Sequence, residues 1–240
     1  ADALGQEYLV RAGYPAQGMT ALHQLLVDQE KQAPSLLSTM FSSHPMSSER
    51  RDTAAQLAGT RYAAHAKAPV QRERFMDSTA SLRRIRPTID ACKNGETAMA
   101  ARQYAKAQTE FQTALAKTPR DYASNLRMAQ CLQAQGQTAK AVSYADSARE
   151  IYPQEAQAYK LAGVLALQQR DAGRAYQNLD RFDRLLPGDA GITFLKGISL
   201  EGMGNRQAAA QHYVAYLRQS QQGNAAQYSY NRLKAWGVVK

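Results

Sequence analysis

The chain has 240 residues, with 30 Lys or Arg against 20 Asp or Glu, so its formal net charge is +10. Ala and Gln are frequent while Val, Ile and Phe are sparse, a bias that favours helix over sheet. No apolar run approaches the roughly 20 residues that cross a bilayer, no dense Lys/Arg block or zinc-finger spacing marks a nucleic-acid reader, and two cysteines are too few for a disulfide framework.

Ala1-Asp2-Ala3-Leu4-Gly5-Gln6-Glu7-Tyr8-Leu9-Val10 reads as helix interior, because no Ser, Thr or Asn precedes it as a cap; residues upstream are therefore expected. This helix runs to Arg11, where Ala12-Gly13-Tyr14-Pro15 breaks it, and a second covers about 16–32. Pro34 to Pro45 is polar, proline-bounded and irregular, the kind of long loop that often carries function. A third helix begins after His44-Pro45 with Ser47 or Ser48 as cap. Residues 61–87, with Arg72, Glu73, Arg74, Arg83, Arg84 and Arg86 among apolar positions, read as a basic connecting helix with a solvated face.

From residue 88 the chain repeats itself. Pro119, Pro153 and Pro187 are 34 residues apart and each ends a helical pattern. Twelve residues before each lies Ala107, Ala141 or Ala175, with Ala209 next in register, and four residues later come Phe111, Ala145, Leu179 and Tyr213. Such landmarks arise where two antiparallel helices cross so closely that only a small residue fits, which also accounts for Gly163 and Gly197. Gly136 and Gly204 mark the turn inside their units, while the other two use Gln103-Tyr104 and Arg170-Asp171. Units are placed at 88–121, 122–155, 156–189 and 190–223, and 224–236 reads as a closing helix with Tyr228, Tyr230, Leu233 and Trp236 available to cover the last unit. Period and landmarks are those of the tetratricopeptide repeat. The expected fold is all-α: residues 1–60 as a small helical part, 61–87 as the connection, and 88–240 as a solenoid with its cap. In this register Cys92 and Cys131 lie about five residues, or ~7 Å of helix rise, apart in height, so two free thiols are expected.

The first helix of each unit faces the concave side, so a polypeptide groove is expected along Ala123, Leu126, Gln130 and Gln133, then Gln157, Lys160, Val164 and Leu167, then Phe194, Ile198 and Glu201. Phe194 and Ile198 need a cover. It is expected to be a partner or another part of the same polypeptide; the other candidate is the closing helix, in which case serine at both positions unfolds the C-terminal end.

Ala1-Asp2-Ala3-Leu4-Gly5, Ala12-Gly13-Tyr14-Pro15, and Ser43-His44-Pro45 followed by Ser47-Ser48-Glu49-Arg50-Arg51 resemble the part of HtpX/BepA-type zinc metallopeptidases that follows their zinc site. Envelope members of that family often carry a C-terminal tetratricopeptide domain, and the arrangement here is similar. The resemblance implies that Asp2 supports a zinc site whose ligand Glu lies four residues earlier. It also implies that His44 can approach the zinc as a self-inhibitory plug. Zinc would belong to the full-length protein only, because this chain's histidines, His23, His44, His65 and His212, form no H-E-x-x-H and supply no complete catalytic site. On this resemblance the chain is the C-terminal part of a bacterial, periplasmic zinc metalloendopeptidase, near its own protease domain and close to the membrane, whose repeats recruit substrates or partners. The alternative is a free-standing adaptor without protease history. A third reading, a basic solenoid binding RNA or anionic lipid, implies steep salt dependence.

Overall fold

The computed structural model describes residues 1–32 and 48–239, so the stretch from Pro34 to Pro45 and the cap at Ser47 lie outside the described residues. All regular structure among the described residues is helical, and the chain divides into two compact units, Ala1–Ser81 and Leu82–Lys240.

The first unit contains α1 (Asp2–Arg11), α2 (Gln17–Gln32), α3 (Ser48–Gly59), a 3-10 turn (Ala63–His65) and α4 (Arg72–Ser78). Its small core consists of Val10, Ala16, Ala58 and Tyr62. The buried amide of Gln6 donates to the carbonyls of Ala16 and Ala54 at 3.1 and 2.9 Å, fastening α1 to the other two helices. The stretch 61–87 is not one helix. The residue before a proline is pushed out of the helical region, Pro69 follows Ala68, and Gln71 takes a left-handed φ of 54°. The chain therefore forms the 3-10 turn, α4, α5 (Ala80–Arg84) and the start of α6 (Arg86–Ala100) as separate pieces.

The second unit pairs α6 (Arg86–Ala100) with α7 (Tyr104–Lys117), α8 (Tyr122–Ala134) with α9 (Thr138–Ile151), α10 (Ala156–Gln168) with α11 (Ala172–Leu185), and α12 (Ala190–Gly202) with α13 (Arg206–Gln219). The closing helix α14 spans Asn224–Ala235 and packs on α13. Before each of the three prolines the helix ends in the same way: Thr118, Tyr152 and Leu186 have φ, ψ of −138°, 84°; −137°, 79°; and −140°, 82°. Asp121, Asp171, Asp189 and Asn205 each cap the next helix by accepting a hydrogen bond from a backbone N–H three residues on.

Ala107, Ala141, Ala175 and Ala209 are fully buried, as are Phe111, Ala145, Leu179 and Tyr213. Sizes are matched across each crossing. Where the second helix brings a large side chain the first has glycine: a Cβ on Gly95, Gly163 or Gly197 would come within 2.4, 2.7 and 2.7 Å of Phe111, Leu179 and Tyr213. In the second unit the same positions hold Ala129 and Ala145.

The four turns inside the units share one hydrogen-bond pattern. Gln103, Gln137, Asp171 and Asn205 donate their backbone N–H to the carbonyls of Ala98, Leu132, Ala166 and Leu200 at 2.8, 2.8, 2.9 and 2.9 Å. This closure needs a left-handed residue immediately before. Gly136 and Gly204 supply it in two units; Arg102 (φ 57°) and Arg170 (φ 60°) supply it in the others, a backbone that an L side chain holds at a cost of about 1–2 kcal/mol. Sequence alone centred the first of these turns one residue late, on Gln103-Tyr104, because no glycine marks it.

Candidate partner-binding groove

Neighbouring first helices pack side by side, α6 on α8, α8 on α10 and α10 on α12, so their outward faces form one wall. Along it Ala123 and Gln157 are exposed, while Gln130, Gln133 and Val164 are half-buried and reachable. Leu126 is only 6% exposed and belongs to the core with Met128, Ala129 and Leu132, because adjacent helices close over it. Leu167 packs against the cluster of Leu179, Phe182 and Ile192. Lys160 is occupied within the wall: its ammonium donates to Asp189 at 2.8 Å and lies 5.4 Å from the centre of the Phe182 ring. That hydrogen bond holds the Asp189 carboxyl below the ordinary carboxylate range, against the opposing effect of burial.

The wall extends further toward the N-terminus than the groove assigned from sequence. Subtracting 34 from Ala123, Leu126, Gln130 and Gln133 gives Ile89, Cys92, Glu96 and Met99 on α6, and the same register adds Arg127. The Arg127 guanidinium bridges two helices, donating to Glu96 at 2.6 Å and to Gln130 at 3.0 Å. Ile89 is 43% exposed. Burial raises the Cys92 thiol above its ordinary pKa, so the wall presents a neutral sulfur there; Cys92 and Cys131 are both free thiols.

The far end of the wall is filled from within. The Phe194 ring lies 5.3 Å from that of Tyr216, 6.0 Å from Tyr213 and 5.9 Å, edge-on, from Tyr228 of the closing helix. Ile198 packs in the same cluster, which includes Leu233 and Trp236. Glu201 receives hydrogen bonds from the hydroxyls of Tyr213 (2.7 Å) and Tyr228 (3.2 Å) and pairs with Arg232. Burial, reinforced by Glu201, pushes both tyrosine hydroxyls upward, so they stay protonated and act as donors. Phe194, Ile198 and Glu201 thus meet α13 and α14. The open part of the wall runs from Ile89 to Val164.

In the first unit Asp2 is gripped by Arg50, whose two nitrogens donate to its two carboxylate oxygens at 2.6 Å each. This pair, chiefly through its hydrogen bonds, keeps the Asp2 carboxyl below the usual range. His23 Nε2 lies 3.9 Å from Asp2; the ring is buried and neither of its nitrogens has a hydrogen-bond partner among the described residues. Among the described residues no group of three or more His, Cys, Asp or Glu could hold a metal ion, and His44 lies outside the described residues.

Residues 98–165 match the family model described as tetratricopeptide repeat. No curated protein matches the chain in sequence. Among solved structures, a crystal structure of MamA is 16% identical with a TM-score of 0.52, covering 55% of this chain and 77% of that one. A second MamA structure, also 16% identical, has a TM-score of 0.54 and coverages of 61% and 82%. MamA 41-end from Desulfovibrio magneticus RS-1 is 18% identical, with a TM-score of 0.52 and coverages of 60% and 81%. At these identities the likeness is one of fold. Taken with the repeat match and the four equivalent helix pairs, it shows that the chain carries a tetratricopeptide-repeat domain folded as a solenoid.

Proposed function

We propose that the solenoid is a scaffold that binds a polypeptide along the wall from Ile89 to Val164. The observation that carries this reading is the contrast along one surface. Phe194 and Ile198 are met by the closing helix, whereas Ile89, Met99 and Val164, exposed or half-buried on the same wall, have no such cover among the described residues. Apolar residues spaced by turns of neighbouring helices, interleaved with Gln130, Gln133 and the Glu96–Arg127 pair, suit a segment that offers apolar side chains and backbone hydrogen-bonding groups together. Peptides selected from a displayed random library should bind the full chain and lose binding in Val164→Asp. The same loss with Ser147→Asp, on a second helix, would remove the reading.

A second reading is supported by one contact. Asp2 and Arg50 come from two of the segments that resemble HtpX/BepA-type zinc metallopeptidases, are 48 residues apart, and meet bidentately. We therefore retain the proposal that residues 1–60 derive from such a peptidase of the bacterial periplasm, with the solenoid serving its substrates. The described residues do not by themselves fit zinc, so a zinc site would draw its ligands from elsewhere in the longer protein. The upstream sequence decides: a Glu four residues before Asp2 and an H-E-x-x-H motif further back are required. Given those, His44→Ala in the longer protein should raise peptidase activity. Their absence leaves the adaptor alone.

A further inference from the structure

The net charge is confined to one unit. Residues 1–81 hold 8 basic and 8 acidic side chains, while residues 82–240 hold 22 basic and 12 acidic. Within the solenoid the charge is sorted again. Helices joined by short turns run antiparallel, so the four turns inside the units share one edge and the turns between units share the other. The first edge, residues 101–107, 135–141, 169–175 and 203–209, carries six basic residues and one acid, Asp171. That acid is engaged as a helix cap, accepting the backbone N–H of Arg174 at 2.9 Å. The opposite edge, residues 118–124, 152–158, 186–192 and 220–226, carries one basic residue and three acids.

On the basic edge Arg102, Lys106, Lys140, Arg170 and Arg206 are exposed, and among the described residues none of them has an ion-pair partner; Lys140 meets the neutral Gln137 at 3.0 Å. A second, independent observation concerns Arg102 and Arg170. Both occupy the left-handed turn position that the other two units fill with Gly136 and Gly204, so the chain keeps cations at tips where glycine is the unstrained residue. Strain of this kind is retained where a position serves more than folding.

We infer that this edge lies on an anionic lipid surface, with the turn tips reaching the headgroup phosphates. Tips that share one edge offer several cations to one surface. Mixed Lys and Arg without a fixed geometry suit a diffuse negative potential. Met203, on the same edge and 45% exposed, can enter the interface. A nucleic-acid strand fits less well, because the edge's one aromatic residue, Tyr104, is half-buried against the core and no ring is free to stack on a base. The acid-rich edge lies a helix length away, ~20 Å, more than two Debye lengths in physiological salt, so it does not cancel the attraction and it fixes which edge faces the lipid. The inference is independent of the groove and survives its failure.

The test is sedimentation of the full chain with vesicles of phosphatidylcholine alone or mixed with phosphatidylglycerol. Binding is expected only to the anionic vesicles and should fall steeply with salt. Each cation at such a surface contributes about fivefold in partitioning. Arg102→Gly, Lys140→Ala, Arg170→Gly and Arg206→Ala combined should therefore weaken binding several-hundred-fold, roughly, while circular dichroism stays unchanged. Arg120→Ala, at the other edge, should change it by less than about twofold, since that site lies beyond the screening distance. Equal loss in the two variants, no loss in the first, or capture of poly-uridine or poly-glutamate without capture of anionic vesicles would overturn the inference.

Discussion

Gly163 and Leu179 are fitted to each other: a Cβ on the glycine would stand 2.7 Å from Leu179 Cγ, inside any normal contact. One unit earlier the equivalent pair is Ala129 and Ala145, both fully buried. Gly163→Ala should cost about 1–3 kcal/mol by overpacking, and Leu179→Ala about 2–5 kcal/mol by leaving a cavity. Together they recreate the pair already present in the second unit, so the double variant should be more stable than the sum of the single losses by about 1 kcal/mol or more. Urea unfolding of the four proteins measures this; strict additivity would show that the two positions do not share one space.

Arg102 and Arg170 hold a left-handed backbone where Gly136 and Gly204 hold it freely. Arg102→Gly and Arg170→Gly should each raise stability by up to about 1 kcal/mol, the relief of strain being partly offset by the greater freedom of glycine in the unfolded chain. Gly136→Ala should lower stability by about 1 kcal/mol for the same reason. Thermal unfolding reads both signs.

Lys196 is buried where the second and third units place Met128 and Ala162, and its ammonium donates to Asp180 at 2.9 Å and Asp183 at 3.0 Å. Burial alone would depress Lys196 and raise Asp180. Their mutual hydrogen bonds and charges outweigh it, leaving Lys196 above and Asp180 below its ordinary range. The Asp180 contribution is therefore present above about pH 4, the unfolded value, and is lost as pH falls through the folded one. That of Lys196 is complete below about pH 10.4 and is lost as pH rises through its folded value. Lys196→Met should destabilise the protein at neutral pH, because it removes one partner of the network and leaves the Asp180 and Asp183 carboxylates without their shared ammonium. It should also lose less stability at both extremes. Burial first, and Lys196 second, hold the His212 imidazole below its ordinary pKa; its NMR titration should move upward in the variant. A His212 curve unchanged by the substitution would separate the two groups.

Much of the solenoid was legible because its landmarks are steric. Proline ends a helix whatever surrounds it, and alanine at a close crossing leaves a 34-residue trace that survives the replacement of Phe111 by Ala145 one unit on. Less legible were features that depend on what an element meets. Nothing local distinguishes Leu126, drawn into the core by two neighbouring helices, from Val164, left on the wall. The turn at Arg102 lacked the glycine that marks Gly136, and the breaks in 61–87 came from Pro69 and a left-handed Gln71 inside what otherwise reads as amphipathic helix. The first unit's key polar contacts, Gln6 to Ala54 and Asp2 to Arg50, each span 48 residues and follow no period.

Phe194 touches three tyrosine rings, one of them on the closing helix. Phe194→Ala should cost about 3–5 kcal/mol, with the loss concentrated at the C-terminal end of a structure whose units contact only their neighbours. Hydrogen exchange should show α13 and α14 losing protection while α8 and α9 keep theirs. A uniform loss along the chain would mean that the end is not held by this cluster.

The decisive measurement for the scaffold is crosslinking of a library-selected peptide to photoreactive residues placed singly at Gln130, Gln133 and Val164 on the wall, and at Ser147 on a second helix. Adducts at the three wall positions, competed by unlabelled peptide and absent at Ser147, are the expected result. Adducts at Ser147 with none on the wall would contradict it.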